Sequence, residues 1–229
     1  MKVFYDFHIH SCLSPCGADD ATPLKIVAMA SAKGLDAIAL TDHNAIDNVE
    51  VAQKFGKMLD VLVIPAMELQ TSEEIHILTF FANYQNLKNF YQTLEFQYIE
   101  NKEEIFGRQL IIDEDDKIKG SVKRLLVTSA KESIYQIIPK VKSFGGMVYF
   151  AHIDRESNGI LNILGSIPPD LNFDGIEFTH PTDFNQYKSV ADNIIINSDA
   201  HNIDCIQEKK HYIEVNKLTF PHICEALKK

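Results

Sequence analysis

The chain alternates short apolar runs with segments of helical apolar spacing, and this pattern restricts its fold more than any other feature. Val3–Phe7, Ala37–Thr41, Val61–Ala66, Ile75–Phe81, Met147–Ala151, Gly175–Phe178 and Ile194–Asn197 read as seven strands. Thr22-Pro23 opens a helix through Ala32, with Pro in its first turn and Gly34 beyond its end. Ala45–Leu59 carries Ile46, Val49, Phe55, Met58 and Leu59 on one helical face. Further helices are expected over Leu87–Phe106, Lys131–Phe144, near Gly159–Leu164, around Asp183–Ala191 and over Phe220–Leu227, with another strand at Tyr212–Val215. Strands mostly separated by helices favour a right-handed parallel α/β arrangement, either closed into a barrel or left as a doubly wound open sheet. No glycine-rich phosphate loop follows the first strand, which disfavours a nucleotide-binding version of the open sheet.

Residues 108–128 break the alternation. Leu110-Ile111-Ile112, the acidic Asp113–Asp116 and Leu125–Val127 read as an inserted ribbon or lid within one domain spanning 1–229. No run approaches the ~20 apolar residues of a membrane span, and no signal peptide is visible. Four cysteines are too few for a disulfide scaffold in a chain of 229 residues, so a cytoplasmic protein with reduced thiols is expected. The net charge of −10 argues against a groove for long duplex nucleic acid, while leaving room for a small anion.

The histidines carry the functional reading. His8 and His10 follow the first strand, Asp42 and His43 the second, and Glu68 the third. His76 opens the fourth strand, His152 follows the fifth, His180 the sixth, and Asp199 and His201 the seventh. The carboxyl ends of parallel strands form the functional face of α/β folds, so these residues converge on one mouth. In His8-Ile9-His10 the strand period of two sends both imidazoles to one side, and Asp199-Ala200-His201 repeats that spacing. Imidazole and carboxylate donors without thiolates suit zinc, manganese or iron. The candidates outnumber the ligands of one tetrahedral site, which implies two or three divalent ions with Glu68 as the bridging carboxylate. Such a centre lowers the pKa of bound water and clamps phosphoryl oxygens, which suits phosphoester hydrolysis. Cys12 and Cys16 lack a second cysteine pair and read as ordinary thiols.

Asp6-Phe7-His8-Ile9-His10-Ser11, Leu40-Thr41-Asp42-His43-Asn44, Glu68 with His76, Ala151-His152-Ile153-Asp154-Arg155 and Asn197-Ser198-Asp199-Ala200-His201 together resemble the motifs of the PHP (polymerase and histidinol phosphatase) family. The resemblance runs in order from residue 6 to 202. It implies a distorted (βα)7 TIM-like barrel, a trinuclear metal centre and phosphoesterase activity. By resemblance His8, His10, Glu68 and Asp199 hold one metal, His76 and His152 a second bridged by Glu68, and His43 and His201 a third. The family adds a carboxylate or histidine in the loop after the first motif. Here that loop offers Asp20 or its neighbour Asp19, with Cys16 near the fixed spacing. Arg155 resembles a phosphate-gripping arginine, the alternative being an ion pair with Glu156. Asp42 is expected to orient a ligand or accept a proton, and His180 to act as general acid or to contact substrate.

The expected activity is metal-dependent hydrolysis of a small phosphorylated metabolite. A nucleoside mono- or bisphosphate, or the 5′ end of a short RNA, fits best. Rivals are a histidinol-phosphate-type phosphatase, an amidohydrolase-like metal hydrolase and a non-catalytic metal-binding module.

Overall fold

The computed structural model describes residues 1–180, 187, 191 and 193–227. Eight strands form one curled sheet: β1 (Lys2–Ile9), β2 (Ala37–Leu40), β3 (Leu62–Gln70), β4 (His76–Phe80), β7 (Met147–Phe150), β8 (Gly175–Phe178), β9 (Ile194–Ile196) and β10 (Tyr212–Glu214). Their spatial order is β10-β1-β2-β3-β4-β7-β8-β9. Beyond β9 the chain returns to β1. His10 N–H donates to the Ala200 carbonyl at 2.8 Å, and Phe7 N–H to Asn197 Oδ1 at 2.8 Å. The seven expected strands curl in this way into a TIM-like barrel, while β10 adds an antiparallel edge to β1.

The strand period of two divides each strand between two cores. Val3, Tyr5 and Phe7 of β1, Ala37 and Ala39 of β2, Ile64 and Ala66 of β3, Leu78 and Phe80 of β4 and Tyr149 of β7 fill the barrel interior. The alternate residues face outward and are covered by helices. Ile38, Leu40 and Val63 pack under α1 (Pro23–Ala32) and α2 (Val49–Met58). Ile77, Val148, Phe150 and Ile176 pack against α3 (Tyr84–Tyr91) and α5 (Ile134–Ser143). Gly175 belongs to the interior set because the Tyr149 ring takes its side-chain space: a Cβ there would lie 2.2 Å from Tyr149 Cε1.

Three expectations are corrected. The sheet is not uniformly parallel, because β4 runs antiparallel to both β3 and β7. Residues 71–75 joining β3 to β4 are too few for a parallel crossover, which needs about a dozen. Reversal is what brings His76, at the start of β4, to the mouth beside Glu68 at the end of β3. The long helix over Leu87–Phe106 is two short ones, α3 and α4 (Glu103–Phe106). Between them Phe96 pairs with Ala130 and Glu100 with Arg124, so tertiary pairing overrides helical spacing. The helix over Ala45–Leu59 starts only at Val49, since Asn44 sits at φ +48° and binds the insertion through its side chain. The ribbon exists as expected: β5 (Leu110–Ile112) and β6 (Ile118–Ser121) form a separate two-stranded sheet. The helix expected around Asp183–Ala191 falls largely outside the described residues. No helix among the described residues is long and apolar enough to cross a membrane.

Candidate metal centre

Above the aromatic interior, the same inward positions change character. Ile64 and Ala66 are followed along β3 by Glu68, and Leu78 and Phe80 are preceded along β4 by His76. On β1 a register irregularity between Asp6 and Ile9 lets the strand turn its histidines inward. His8, His10, Glu68 and Asp199 are all buried.

Glu68 is the hub. Its Oε1 lies 2.9 Å from His76 Nδ1 and 3.1 Å from His152 Nε2, and its Oε2 lies 2.8 Å from His43 Nδ1 and 3.4 Å from His10 Nε2. Asp199 Oδ1 lies 3.2 Å from His8 Nε2 and 3.0 Å from His10 Nε2. Oε1 also lies 3.5 Å from His8 Nε2, so each carboxylate oxygen of Glu68 faces its own group of imidazoles. His152 and Asp199 sit at φ +30° and +50°, in the left-handed region that non-glycine residues rarely occupy, and here this conformation turns them into the cluster.

The polar neighbours decide which ring nitrogens face inward as acceptors. Glu177 on β8 is fully buried and accepts from His8 Nδ1 at 2.9 Å, His152 N–H at 2.8 Å and Asn197 Nδ2 at 2.6 Å. The proton on His8 Nδ1 leaves the lone pair of Nε2 facing the cluster. Asp42 accepts from Ser11 N–H and from the hydroxyls of Ser11 and Ser14, each at 2.7 Å. Ser14 gives its proton to Asp42, so its oxygen accepts from His43 N–H at 3.1 Å and from His10 Nδ1 at 3.0 Å. His10 Nε2 is then an acceptor as well, yet it lies 3.0 Å from His8 Nε2. Two lone pairs at that distance repel unless a cation lies between them.

The donor set therefore fits a metal ion. His152 Nδ1 is buried without a hydrogen-bond partner, and the buried Glu68 Oε2 and Asp199 Oδ1 have imidazole nitrogens as their close neighbours, whereas buried polar atoms are normally paired. Among the described residues, His8, His10 and Glu68 form one group of donor atoms within 4.8 Å of one another. His43, Glu68 and His76 form a second such group, and His10, His43 and His201 a third. Burial pushes the Glu68 carboxyl up, but the imidazoles of His76, His43 and His8 drive it well below the usual carboxylate range. Burial lowers His43, and Glu68 outweighs it, raising the imidazole to about 10. The centre is thus built to hold positive charge, by protons or by metal ions.

Arg155 reaches over this cluster, with Nη1 2.5 Å from Asp199 Oδ2, so its partner is Asp199 and not Glu156. Together with His43, His76, Asn158 and His201 it lines a cavity of about 100 Å³. Asp42 lies two hydrogen bonds behind His10 and orients it through Ser14. Two expected residues are not brought in. Asp20 is exposed and paired with Lys25 at 3.7 Å, while Asp19 turns to Arg108. His180 has its side chain 79% exposed and bonds Thr179 and Asp154 outside the cavity. Cys16, on the same loop, is an exposed residue whose thiol feels the imidazoles of His201 and His43 electrostatically. Burial of the sulfur pushes it up, but those imidazoles bring it down to about 7. Sequence reasoning missed Glu177, Ser14 and Gln70, whose Oε1 lies 3.2 Å from His76 Nε2. A charge in the apolar run Gly-Ile-Glu-Phe was the available clue for Glu177. Nothing in the residue pattern marks the other two.

Comparison with known proteins agrees with this fold. Endonuclease Q from Pyrococcus furiosus superposes with a TM-score of 0.69 at 17% identity, over 100% of this chain and 56% of that one. An endonuclease Q complex with a 27-mer duplex substrate carrying an abasic lesion at the active site gives 0.69 at 18%, over 100% and 57%. The chain thus spans little more than half the length of endonuclease Q. A protein from Bifidobacterium adolescentis described as a metal-dependent phosphoesterase superposes at 0.64 and 17% identity, over 98% of this chain and 96% of that one. No curated protein matches the sequence. The net charge had argued against long duplexes, but a duplex-bound protein of this fold shows that the architecture itself does not exclude them. The model of the PHP domain matches residues 6–217, and the chain belongs to the PHP domain family.

Proposed function

We propose that this member of the family hydrolyses a phosphoester of a small phosphorylated metabolite, with a nucleoside mono- or bisphosphate or the 5′ end of a short oligonucleotide as the favoured class. The observation that carries this reading is Glu68, whose two oxygens face separate sets of imidazoles under the guanidinium of Arg155. His8, His10, Glu68 and Asp199 would hold one divalent ion, His76 and His152 a second, and His43 and His201 a third. Bound ions of the zinc, manganese or iron type supply positive charge to the phosphoryl oxygens and acidify water.

The chain's own residues do the rest. Glu177 and Ser14 fix the His8 and His10 rings so that both Nε2 atoms face the centre. Arg155 offers a planar fork that matches two phosphoryl oxygens, and engaging them requires it to exchange its contact with Asp199. Its side chain is 37% exposed, so it is free to swing. Whole small-molecule ligands usually occupy pockets of ~300 Å³ or more. A cavity of about 100 Å³ therefore takes the phosphoryl end and leaves the remainder at the rim, beside the loop after β7.

The test is phosphate release by the full chain loaded with Mn2+ or Zn2+. The substrates are 3′,5′-nucleoside bisphosphate, AMP, a 5′-phosphorylated dinucleotide, histidinol phosphate, an aryl phosphate and a duplex with an abasic site. Nucleotide turnover that is lost with chelator and in Asp199→Ala, by about 10³-fold or more, supports the reading. Cleavage of the abasic duplex alone moves the substrate to polymeric DNA. Histidinol phosphate as the preferred substrate overturns the nucleotide class.

A further inference from the structure

The segment that returns from the ribbon, residues 124–130, is bonded to two residues that adjoin metal-ligand candidates. Asn44, next to His43, donates through Nδ2 to the carbonyls of Leu126 at 2.7 Å and Thr128 at 3.0 Å. Arg124 Nη2 donates to the Asn44 carbonyl at 2.9 Å. Asn44 Oδ1 accepts from Gln70 N–H at 2.9 Å, and the Gln70 carbonyl accepts from Ala130 N–H at 2.8 Å. The backbone of Gln70 is therefore held on both its polar groups. Its side-chain Nε2 donates to Ser129 Oγ at 3.0 Å, which leaves Oε1 facing His76 Nε2 at 3.2 Å. Gln70 is only 9% exposed, so water has little access to this chain of bonds.

An amide oxygen only accepts, so His76 Nε2 carries the proton and the ring's lone pair lies on Nδ1. Nδ1 is the nitrogen turned to the centre, 2.9 Å from Glu68 Oε1. His8 and His10 present Nε2 instead, supported by Glu177 and Ser14. His152 Nε2 approaches the same Glu68 oxygen at 3.1 Å, but its far nitrogen, Nδ1, is buried without a partner. Of the two imidazoles at this position, His76 alone is held from behind.

We infer that Gln70 is a positioning residue for the metal position at His76 and His152, and that residues 124–130 act through it by holding its amide so that His76 offers Nδ1 to the metal. The inference rests on the metal-centre reading above and deepens it. It gives the segment after the ribbon a part in the centre that neither its distance along the chain nor the family motifs indicate. A partner on the far side of a metal-binding imidazole fixes both the tautomer and the ring orientation. Glu177 and Ser14 hold His8 and His10 separately, so loss of Gln70 should disturb one bound equivalent and spare the position at His8 and His10.

Proton–nitrogen correlation spectra of the zinc-loaded full chain, with isotope-labelled histidine, test this without using activity. Such spectra separate a protonated ring nitrogen from a metal-bound one, and His76→Asn identifies the signals of that ring. Zinc is expected on His76 Nδ1 and the proton on Nε2. Competition for zinc against a chelator gives a second readout. Gln70→Met, which keeps the length and loses the acceptor, should weaken one bound equivalent by about 10–100-fold. Gln70→Glu, which restores an acceptor, should recover it, and Ser129→Ala should weaken the same equivalent by a smaller factor. Zinc on His76 Nε2, or a Gln70→Met variant that binds every equivalent as tightly as the unaltered protein, overturns the role of Gln70 and leaves the metal centre standing. Unchanged binding in Ser129→Ala overturns the part given to residues 124–130. No zinc bound by the unaltered protein overturns the metal-centre reading with it.

Discussion

The lower and upper halves of the barrel interior are built on the same strands and in the same inward positions, yet they solve opposite problems. The floor, around Phe7, Phe80 and Tyr149, is aromatic and aliphatic. Phe7 stacks on Tyr5 at 4.4 Å and meets Phe80 edge-on at 6.0 Å, so each ring gains by leaving water. The mouth, two residues further along β3 and two residues back along β4, buries Glu68 and His76 at a cost, and leaves lone pairs facing one another. The floor stabilises the fold without any cofactor. The mouth is stable only as a site that receives positive charge, so the cost of burying it is offset when ligands bind there.

The largest expected effect separates the halves outright. Phe7→Ala should lower unfolding stability by about 3–5 kcal/mol, measured by urea denaturation, while metal stoichiometry at low temperature stays unchanged. Loss of bound metal in the folded variant would show that floor and mouth are not independent.

A smaller effect probes the supports of the mouth. Glu177→Gln puts an amide donor where three donors already converge, and should weaken metal binding by about 10–100-fold, measured by competition against a chelator. Unchanged affinity would mean that His8 needs no carboxylate behind it.

The smallest effect is in pH. Without metal, His43 titrates at about 10 instead of 6.5, because Glu68 outweighs burial. Its contribution to stability is fully present below about 6.5 and is lost as pH rises through about 10. Metal must displace that proton, so the rise in Tm on adding zinc should grow between about pH 6 and pH 8. A rise in Tm that shrinks over this range would contradict a protonated cluster in the metal-free protein.

Much of this was legible in the residues because strand ends and histidines coincide. The floor follows from alternation in Val3–Phe7 and in Leu78 and Phe80, and the ligand candidates follow from positions just beyond each run. The reversal of β4 was implicit in a five-residue corner too short for a crossover, but the alternation of strand and helix suggested a parallel unit. The extended path of 92–102 was hidden, because its pairing partners lie some thirty residues ahead along the chain. Asp20 and His180 were plausible from spacing alone, but loops bend by hydrogen bonds that spacing does not encode.

The sequence by itself determined the family, the strand count and the cluster of His8, His10, His43, Glu68, His76, His152, Asp199 and His201, because periodicity and local motif chemistry are properties of neighbouring residues. Only the tertiary structure decided that Glu177 and Ser14 set the tautomers of His8 and His10, that Arg155 pairs with Asp199, and that Asp20 turns away. Those outcomes depend on distances of about 3 Å between residues far apart in the chain, and such distances exist only once the sheet has curled and its loops have closed over the mouth.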